Sequence, residues 1–201
     1  MMIARDGFPF ILGCAALSIL SFVFGFFWVG CVFVILTAFI AFFFRDPKRT
    51  FLGNEAQVAS PADGKIVAVK GEGAEPVVSI FLSIFNVHVN RAPVGGTISR
   101  IQYTPGKFLA AFDERASNQN EQNSITIQHG SSELRFVQIA GLIARRIVCW
   151  KHEGEALHAG DRVGLIRFGS RVDVFFPSGS KVSVKEGDQV KAGQTVIGEL
   201  P

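Results

Sequence analysis

The strongest constraint on this 201-residue chain is an uncharged, apolar segment near its start. Residues Phe8 to Phe44 contain no Asp, Glu, Lys, Arg or His in 37 positions. A membrane-spanning helix needs about 20 apolar residues, so the segment is too long for one upright span and suits two short ones. A cleaved signal peptide is disfavoured, because its apolar core covers only about 7–15 residues and ends at a small-residue cleavage site.

We predict a helical hairpin with arms Phe8–Phe24 and Cys31–Phe44 and a turn at Gly25–Gly30. One long tilted span is the alternative. Basic residues flank both ends of the segment: Arg5, Arg45, Lys48 and Arg49. Because Lys and Arg near a span favour the cytoplasmic side, a hairpin would place both flanks, and the domain that follows, on the cytoplasmic face of the cell membrane.

The rest of the chain predicts one mainly β domain. Short β-branched runs alternate with Gly, Pro and Asp, a pattern typical of a flattened barrel or sandwich of short strands. We therefore divide the chain into a membrane anchor, residues 1–47, and a β-rich domain, residues 48–201. The net charge of +3 is too small to indicate nucleic-acid binding. The three cysteines have no metal-binding spacing, and no metal site is predicted.

Local structure can be predicted for three further segments of the chain. Residues 184–200 (VKEGDQVKAGQTVIGEL) resemble the hairpins of lipoyl and biotinyl carrier domains. Carriers need an exposed Lys beside Met at a hairpin tip, and neither Met lies in this region. A non-catalytic, membrane-tethered lipoyl-like module therefore remains only an alternative. Residues Phe108–Ala116 have helical potential, and the polar run Ser117–Asn123 predicts an exposed loop.

The most informative stretch is GLIRFGSRVDVFFP, residues 164–177, in which Gly169 and Ser170 separate two apolar runs. Alone, a Gly-Ser pair predicts an ordinary turn. Four other segments change this interpretation: FFRDPKR (43–49), SPADGKI (60–66), FLSIFNVHVNRAPVGG (81–96) and YTPGKFLAAF (103–112). Together and in this order, the five segments resemble the phosphatidylserine decarboxylases. The resemblance is nearest to the short bacterial and archaeal form and extends from Phe43 to the end.

The resemblance implies a self-cleaving enzyme. In that family a Gly-Ser bond is broken by the serine itself, which here would give a large chain, 1–169, and a small chain, 170–201. A pyruvoyl group derived from Ser170 would then be the cofactor, forming a Schiff base with the amine of phosphatidylserine in the bilayer. The products would be phosphatidylethanolamine and CO₂. The large and small chains would stay partners, and a homodimer is compatible with the sequence.

The chemistry explains the residue types. A serine hydroxyl is a weak nucleophile until a base takes its proton, and Gly169 offers little crowding at the carbonyl under attack. By resemblance, Asp63 and His88 join Ser170 as catalytic residues. Asp63 would be the orienting carboxylate. His88 would transfer protons, since its intrinsic pKa is near neutral.

Two positions depart from the family pattern. Arg171 stands where Thr commonly follows the cleaved serine, and the longer family members carry two histidines three residues apart. Here Arg91 stands in place of the second histidine, and arginine is a poor base because it stays protonated. Either His88 serves both steps or Asp63 acts through water. We predict that Arg91 binds the substrate phosphate or carboxylate and that Lys107 reaches the headgroup. A pyruvoyl-dependent decarboxylase of a soluble amino acid is a second alternative.

Overall fold

The computed structural model describes residues 2–71, 75–109, 116–142, 146–167 and 169–201. Most of the predicted helical stretch Phe108–Ala116 lies outside these ranges, as does Phe168 of the predicted cleavage context. The chain forms two compact units, Met1–Lys48 and Arg49–Pro201. The boundary predicted from the sequence is one residue earlier.

The first unit is a helical hairpin. Helix α1 (Phe8–Val23) follows a 3-10 turn, and helix α2 (Phe27–Phe43) packs against it. Strands β1 (Met2–Ile3) and β2 (Arg45–Asp46) pair antiparallel at its base.

The turn of the hairpin is shorter than predicted. Gly25 has a positive φ of 80° and α2 already begins two residues later. Gly30, predicted to end the turn, lies inside α2, where its carbonyl accepts a hydrogen bond from Ser18 Oγ of α1 at 3.0 Å. The prediction Gly25–Gly30 was wrong because the apolar residues after Gly25 satisfy their backbone groups by continuing a helix.

The hairpin supports membrane association. The 3-10 turn and α1 together form a helical stretch of 19 residues, Arg5–Val23, and among the described residues this stretch is long and apolar enough to cross a bilayer. Only 11% of its apolar 18-residue segment is buried in protein. The second apolar helix has 17 residues. Side chains this apolar and this exposed are stabilised by contact with lipid rather than water.

The second unit confirms the mainly β prediction. Its strands, in chain order, are β3 (Gln57–Ala59), β4 (Gly64–Lys70), β5 (Val77–Leu82), β6 (Val89–Arg91), β7 (Gly96–Thr104), β8 (Gln122–His129), β9 (Ser132–Ile139), β10 (Ile147–Cys149), β11 (Ala156–Leu157), β12 (Arg162–Ile166), β13 (Ser170–Phe175), β14 (Lys181–Val182), β15 (Gln189–Val190) and β16 (Val196–Glu199). A short helix, α3 (Ala116–Gln119), precedes β8.

Eight strands form a curled half-barrel in the order β11-β7-β8-β9-β13-β5-β4-β15. Two three-stranded sheets, β10-β12-β6 and β14-β16-β3, complete the unit. All strand pairs in these sheets are antiparallel. Alternate residues of each strand face one apolar core, as with Leu134 and Phe136 of β9 and Val172 and Val174 of β13.

The polar run Ser117–Asn123 is not the exposed loop that its composition predicts. It forms most of α3 and the start of β8, and Asn120 is buried. The Asn120 side chain donates to the carbonyls of Leu109 and Ala140 and accepts from the Leu109 N–H. Burial is tolerated because these hydrogen bonds replace those lost to water.

The same Leu→Ala substitution should change the free energy of unfolding differently in the core and at the surface. Leu134→Ala should lower the free energy of unfolding by about 2–5 kcal/mol, because it leaves a cavity at a fully buried site. Leu52→Ala, at a side chain that is 92% exposed, should change it by less than about 0.5 kcal/mol. Urea unfolding of the full chain in detergent, followed by near-ultraviolet circular dichroism, measures both. Equal losses would contradict the assigned core.

Candidate active site

Ser170 occupies the first position of β13, between β9 and β5. It pairs with Leu82, the last residue of β5. Alternation along the strand puts its side chain on the same core-facing side as Val172, and Ser170 is 0% exposed. Its Oγ is buried and makes no hydrogen bond with any residue in the described part of the chain. A buried hydroxyl without a partner is unfavourable, so its presence calls for an explanation.

The environment of Ser170 differs from that of the two other serines that follow glycine. Gly130, Gly169 and Gly179 all have positive φ, at 55°, 28° and 86°. Ser131 is exposed. Ser180 is partly exposed in a turn, although its Oγ is also buried without a hydrogen bond in the described part of the chain. A left-handed glycine therefore precedes all three serines. Of the three, only Ser170 is completely buried and belongs to a central strand of the sheet.

Strand pairing brings His88 to the same end of the barrel. The connection from β5 to β6 ends at His88, and residues 167–169 connect β12 to β13. Because β12 pairs with β6 and β13 pairs with β5, the end of β12 lies beside the start of β6, and the start of β13 lies beside the end of β5. The Ile166 N–H donates to the His88 carbonyl at 3.4 Å.

The His88 ring is buried and oriented by the backbone. Its Nδ1 lies 3.0 Å from the carbonyl oxygen of Asn86. A carbonyl oxygen only accepts, so Nδ1 carries the proton, and in the neutral ring Nε2 is then the basic nitrogen.

Asp63 lies at this end of the barrel too. It directly precedes β4, whose Lys65 pairs with Phe81 of β5. Asp63 therefore stands beside the end of β5, two strands from Ser170, which corresponds to a backbone separation of roughly 10 Å.

The carboxylate of Asp63 is held by Arg49 and by the backbone of Ala192. Both guanidinium branches of Arg49 donate to it, and the Ala192 N–H donates at 2.8 Å. Arg49 also donates to the Ala192 carbonyl at 2.9 Å. The side chains of Arg49 and Asp63 are only 7% and 11% exposed. These bonds fix the orientation of the carboxylate.

Sequence reasoning missed this role of Arg49. We interpreted it as a membrane-surface residue because it follows the apolar segment, and that interpretation was wrong. The residue belongs to the β unit, and its partner is 14 positions away. No local pattern in the sequence links the two.

A row of buried amides was missed too. Asn123 Nδ2 donates to Gln138 Oε1 at 3.0 Å, and Gln138 Nε2 donates to Asn90 Oδ1 at 2.8 Å. Gln138 faces the core from β9 beside β13, and Asn90 follows His88 by two residues on β6. The row thus ties β6, the strand that directly follows His88, to the sheet that carries Ser170.

The two predicted substrate-binding residues lie in different surroundings. Arg91 is buried, and its Nη1 donates to the Gly160 carbonyl at 2.9 Å. Lys107 is exposed, with its Nζ 3.4 Å from Gln119 Oε1. Substrate binding by either residue stays a prediction.

The remaining reactive groups offer no competing centre within the described ranges. Burial raises the pKa of the Cys149 thiol, so it stays protonated and weakly nucleophilic at neutral pH. No group of three or more His, Cys, Asp or Glu residues there is placed to hold a metal ion. A buried hydroxyl and an imidazole at the same end of the barrel are residue types suited to acyl transfer.

Comparison with known proteins points the same way. The sequence profile of the phosphatidylserine decarboxylase family matches residues 36–198. The phosphatidylserine decarboxylase proenzyme of Desulfotalea psychrophila is 44% identical over 98% of this chain and 96% of its own length. That of Citrifermentans bemidjiense is 45% identical, covering 99% and 97%, and that of Burkholderia pseudomallei is 44% identical, covering 100% and 96%. The chain belongs to the phosphatidylserine decarboxylase family, a family of carboxy-lyases.

Proposed function

We propose that this chain cleaves itself between Gly169 and Ser170 and then decarboxylates phosphatidylserine with a pyruvoyl group formed from Ser170. The observation that carries the proposal is the placement of Ser170. Its hydroxyl is buried without a described partner, directly after a glycine with φ +28° and beside the connection that ends at His88. The names of the relatives support the same reaction.

Cleavage begins with an attack on the neighbouring peptide bond. His88 takes the hydroxyl proton as Ser170 Oγ adds to the Gly169 carbonyl carbon, and the amide nitrogen leaves to give an ester. β-Elimination then releases Gly169 as a carboxylate and leaves dehydroalanine at position 170. Water hydrolyses this group to a ketone and ammonia. The left-handed backbone of Gly169 is a conformation that other residues rarely adopt.

The surroundings of position 170 fit a pyruvoyl group. The side chain lies in an apolar interior beside Leu82 and Val172, where no described donor or acceptor holds the hydroxyl. A pyruvoyl group supplies an electrophilic carbonyl that accepts the substrate amine and delocalises the electrons left when CO₂ departs. We assign to His88 Nε2, the basic nitrogen of the ring, the proton exchanged at the substrate carbon.

Asp63 acts as a positioning residue in this proposal. Its carboxylate is engaged by Arg49 and the Ala192 N–H, so its place at the end of β4 is fixed, while the Arg49 guanidinium offsets its charge. We assign to this oriented carboxylate the role of supporting the imidazolium that forms when the His88 ring takes a proton. His88 then serves as the base for cleavage, and no second histidine is required.

The hairpin supports a lipid substrate. A chain that carries an apolar anchor remains at the membrane that contains phosphatidylserine. The basic residues Arg5, Arg45 and Lys48 flank the apolar segment, and by the positive-inside rule they support a cytoplasmic location for the β unit.

Removal of the Ser170 hydroxyl should block maturation. Ser170→Ala should leave one intact chain without decarboxylase activity, whereas the unchanged protein should give chains 1–169 and 170–201. Ser180→Ala is the matched control, because Ser180 also follows a left-handed glycine, and it should mature normally. Intact-mass spectrometry distinguishes the forms. A fully active but uncleaved wild-type chain would refute the proposal.

Replacement of His88 should slow proton transfer. His88→Gln should reduce the cleavage rate by about 10²–10⁴-fold, the usual contribution of a general base. His129→Gln is the control, because His129 Nδ1 also bonds to a backbone carbonyl, that of Gly95 at 2.7 Å. A time course of freshly synthesised chain on denaturing gels gives both rates. Equal rates for the two variants would remove His88 from the mechanism.

The substrate class has its own test. Protein reconstituted in vesicles that contain carboxyl-labelled phosphatidylserine should release labelled CO₂. Free serine should give no more release than the Ser170→Ala variant does. Release from free serine but not from the lipid would favour the decarboxylase of a soluble amino acid.

A further inference from the structure

Arg171, the residue that follows Ser170, is buried although it points away from the core. Alternation along β13 puts it on the opposite side of the sheet from Ser170, yet it is only 8% exposed. Its Nε donates to Asp173 Oδ1 at 2.6 Å, and its Nη2 donates to Ser79 Oγ at 2.8 Å. Asp173 and Ser79 are 3% and 2% exposed. Neither Arg171 nor Asp173 was predicted to have a role.

Stability alone does not account for this arrangement. Two charges taken out of water lose hydration that their attraction only partly restores, and apolar residues of similar volume often serve as well. A buried, doubly hydrogen-bonded guanidinium does supply rigidity. It fixes the rotamers of a long side chain that otherwise keeps much conformational freedom.

A rigid Arg171 side chain would restrain the neighbouring position 170 after cleavage. Position 170 then becomes a chain end, and chain ends fray unless they are tied down. Ser79 lies on β5 in residues 1–169, whereas Arg171 and Asp173 lie on β13 in residues 170–201. The guanidinium therefore links the new end of the small chain to the large chain, one residue from the reactive position.

We propose that Arg171, held by Asp173 and Ser79, is the positioning residue that keeps the N-terminal group of the small chain in place for decarboxylation. The inference rests on the proposed function and deepens it. Arg171 does not touch the reacting atoms, since its side chain lies on the other face of the sheet. It limits movement of position 170 through the backbone that the two residues share.

Two variants test this role. Ser79→Ala removes only the link to the large chain. The pair Arg171→Gln with Asp173→Asn removes both charges together, so that neither of these two charges is left buried without the other. Ser99→Ala is the control for the first, because Ser99 Oγ donates to the Thr126 carbonyl elsewhere in the same sheet. Lys151→Gln with Glu155→Gln, at a separate ion pair, is the control for the second.

Activity is expressed per ketone, so that incomplete maturation does not obscure the result. Each protein is matured, its carbonyl content is titrated with phenylhydrazine, and kcat and KM are measured with phosphatidylserine in detergent micelles. Ser79→Ala and the double variant should lower kcat per ketone by about tenfold to a hundredfold, as expected for misplacement on the order of 1 Å. KM should stay within twofold and the melting temperature near that of the matched control.

The outcomes separate the two proposals. An unchanged kcat per ketone in Ser79→Ala and in the double variant overturns the positioning role. A raised KM at constant kcat overturns it also, because Arg171 would then act in substrate binding. If the double variant does not mature, Ser79→Ala decides alone. A wild-type protein without ketone refutes the proposed function itself, and the inference with it.

Discussion

The pairing of β13 with strands on both of its sides is the constraint on which the rest of the site depends. β13 bonds to β5 from Ser170 onward and to β9 from Arg171 onward, so its first residue lies at the end of a central strand. The proposed cleavage would break the chain immediately before this strand. Residues 170–201 would remain attached through these ladders and through the pairs β15 with β4 and β16 with β3. Covalent continuity is therefore not needed to keep the small chain in place.

Polar groups are concentrated at the end of an otherwise apolar barrel. The ion pair of Arg49 with Asp63 and the amide row of Asn90, Gln138 and Asn123 are satisfied by one another or by backbone groups. In a medium of low polarity such networks are strong when complete. They fix the Asp63 carboxylate and the strand that follows His88, whereas Ser170 Oγ makes no hydrogen bond in the described part of the chain.

Much of the fold followed from the sequence because it rests on local patterns. The apolar run predicted two helices, and alternating β-branched runs predicted a mainly β unit, as the structure confirms. Predictions were wrong where the surroundings of a residue depend on a partner far away in the sequence. Asn120 was assigned to an exposed loop from its polar neighbours, but hydrogen bonds to Leu109 and Ala140 allow its burial. The roles of Arg49 and Arg171 depend in the same way on partners 14 and 92 positions away.

The sequence by itself determined the apolar helices, the β class and the family, because the length of an apolar run, the alternation of residues and the order of short motifs depend only on the order of residues along the chain. It also identified Ser170, but only through the resemblance of the segments around it. Three glycine-serine bonds have left-handed glycines, and nothing local separates them. Only the tertiary structure decided which serine is buried at the end of a central strand beside His88, because burial and proximity arise from the pairing of strands far apart in the chain.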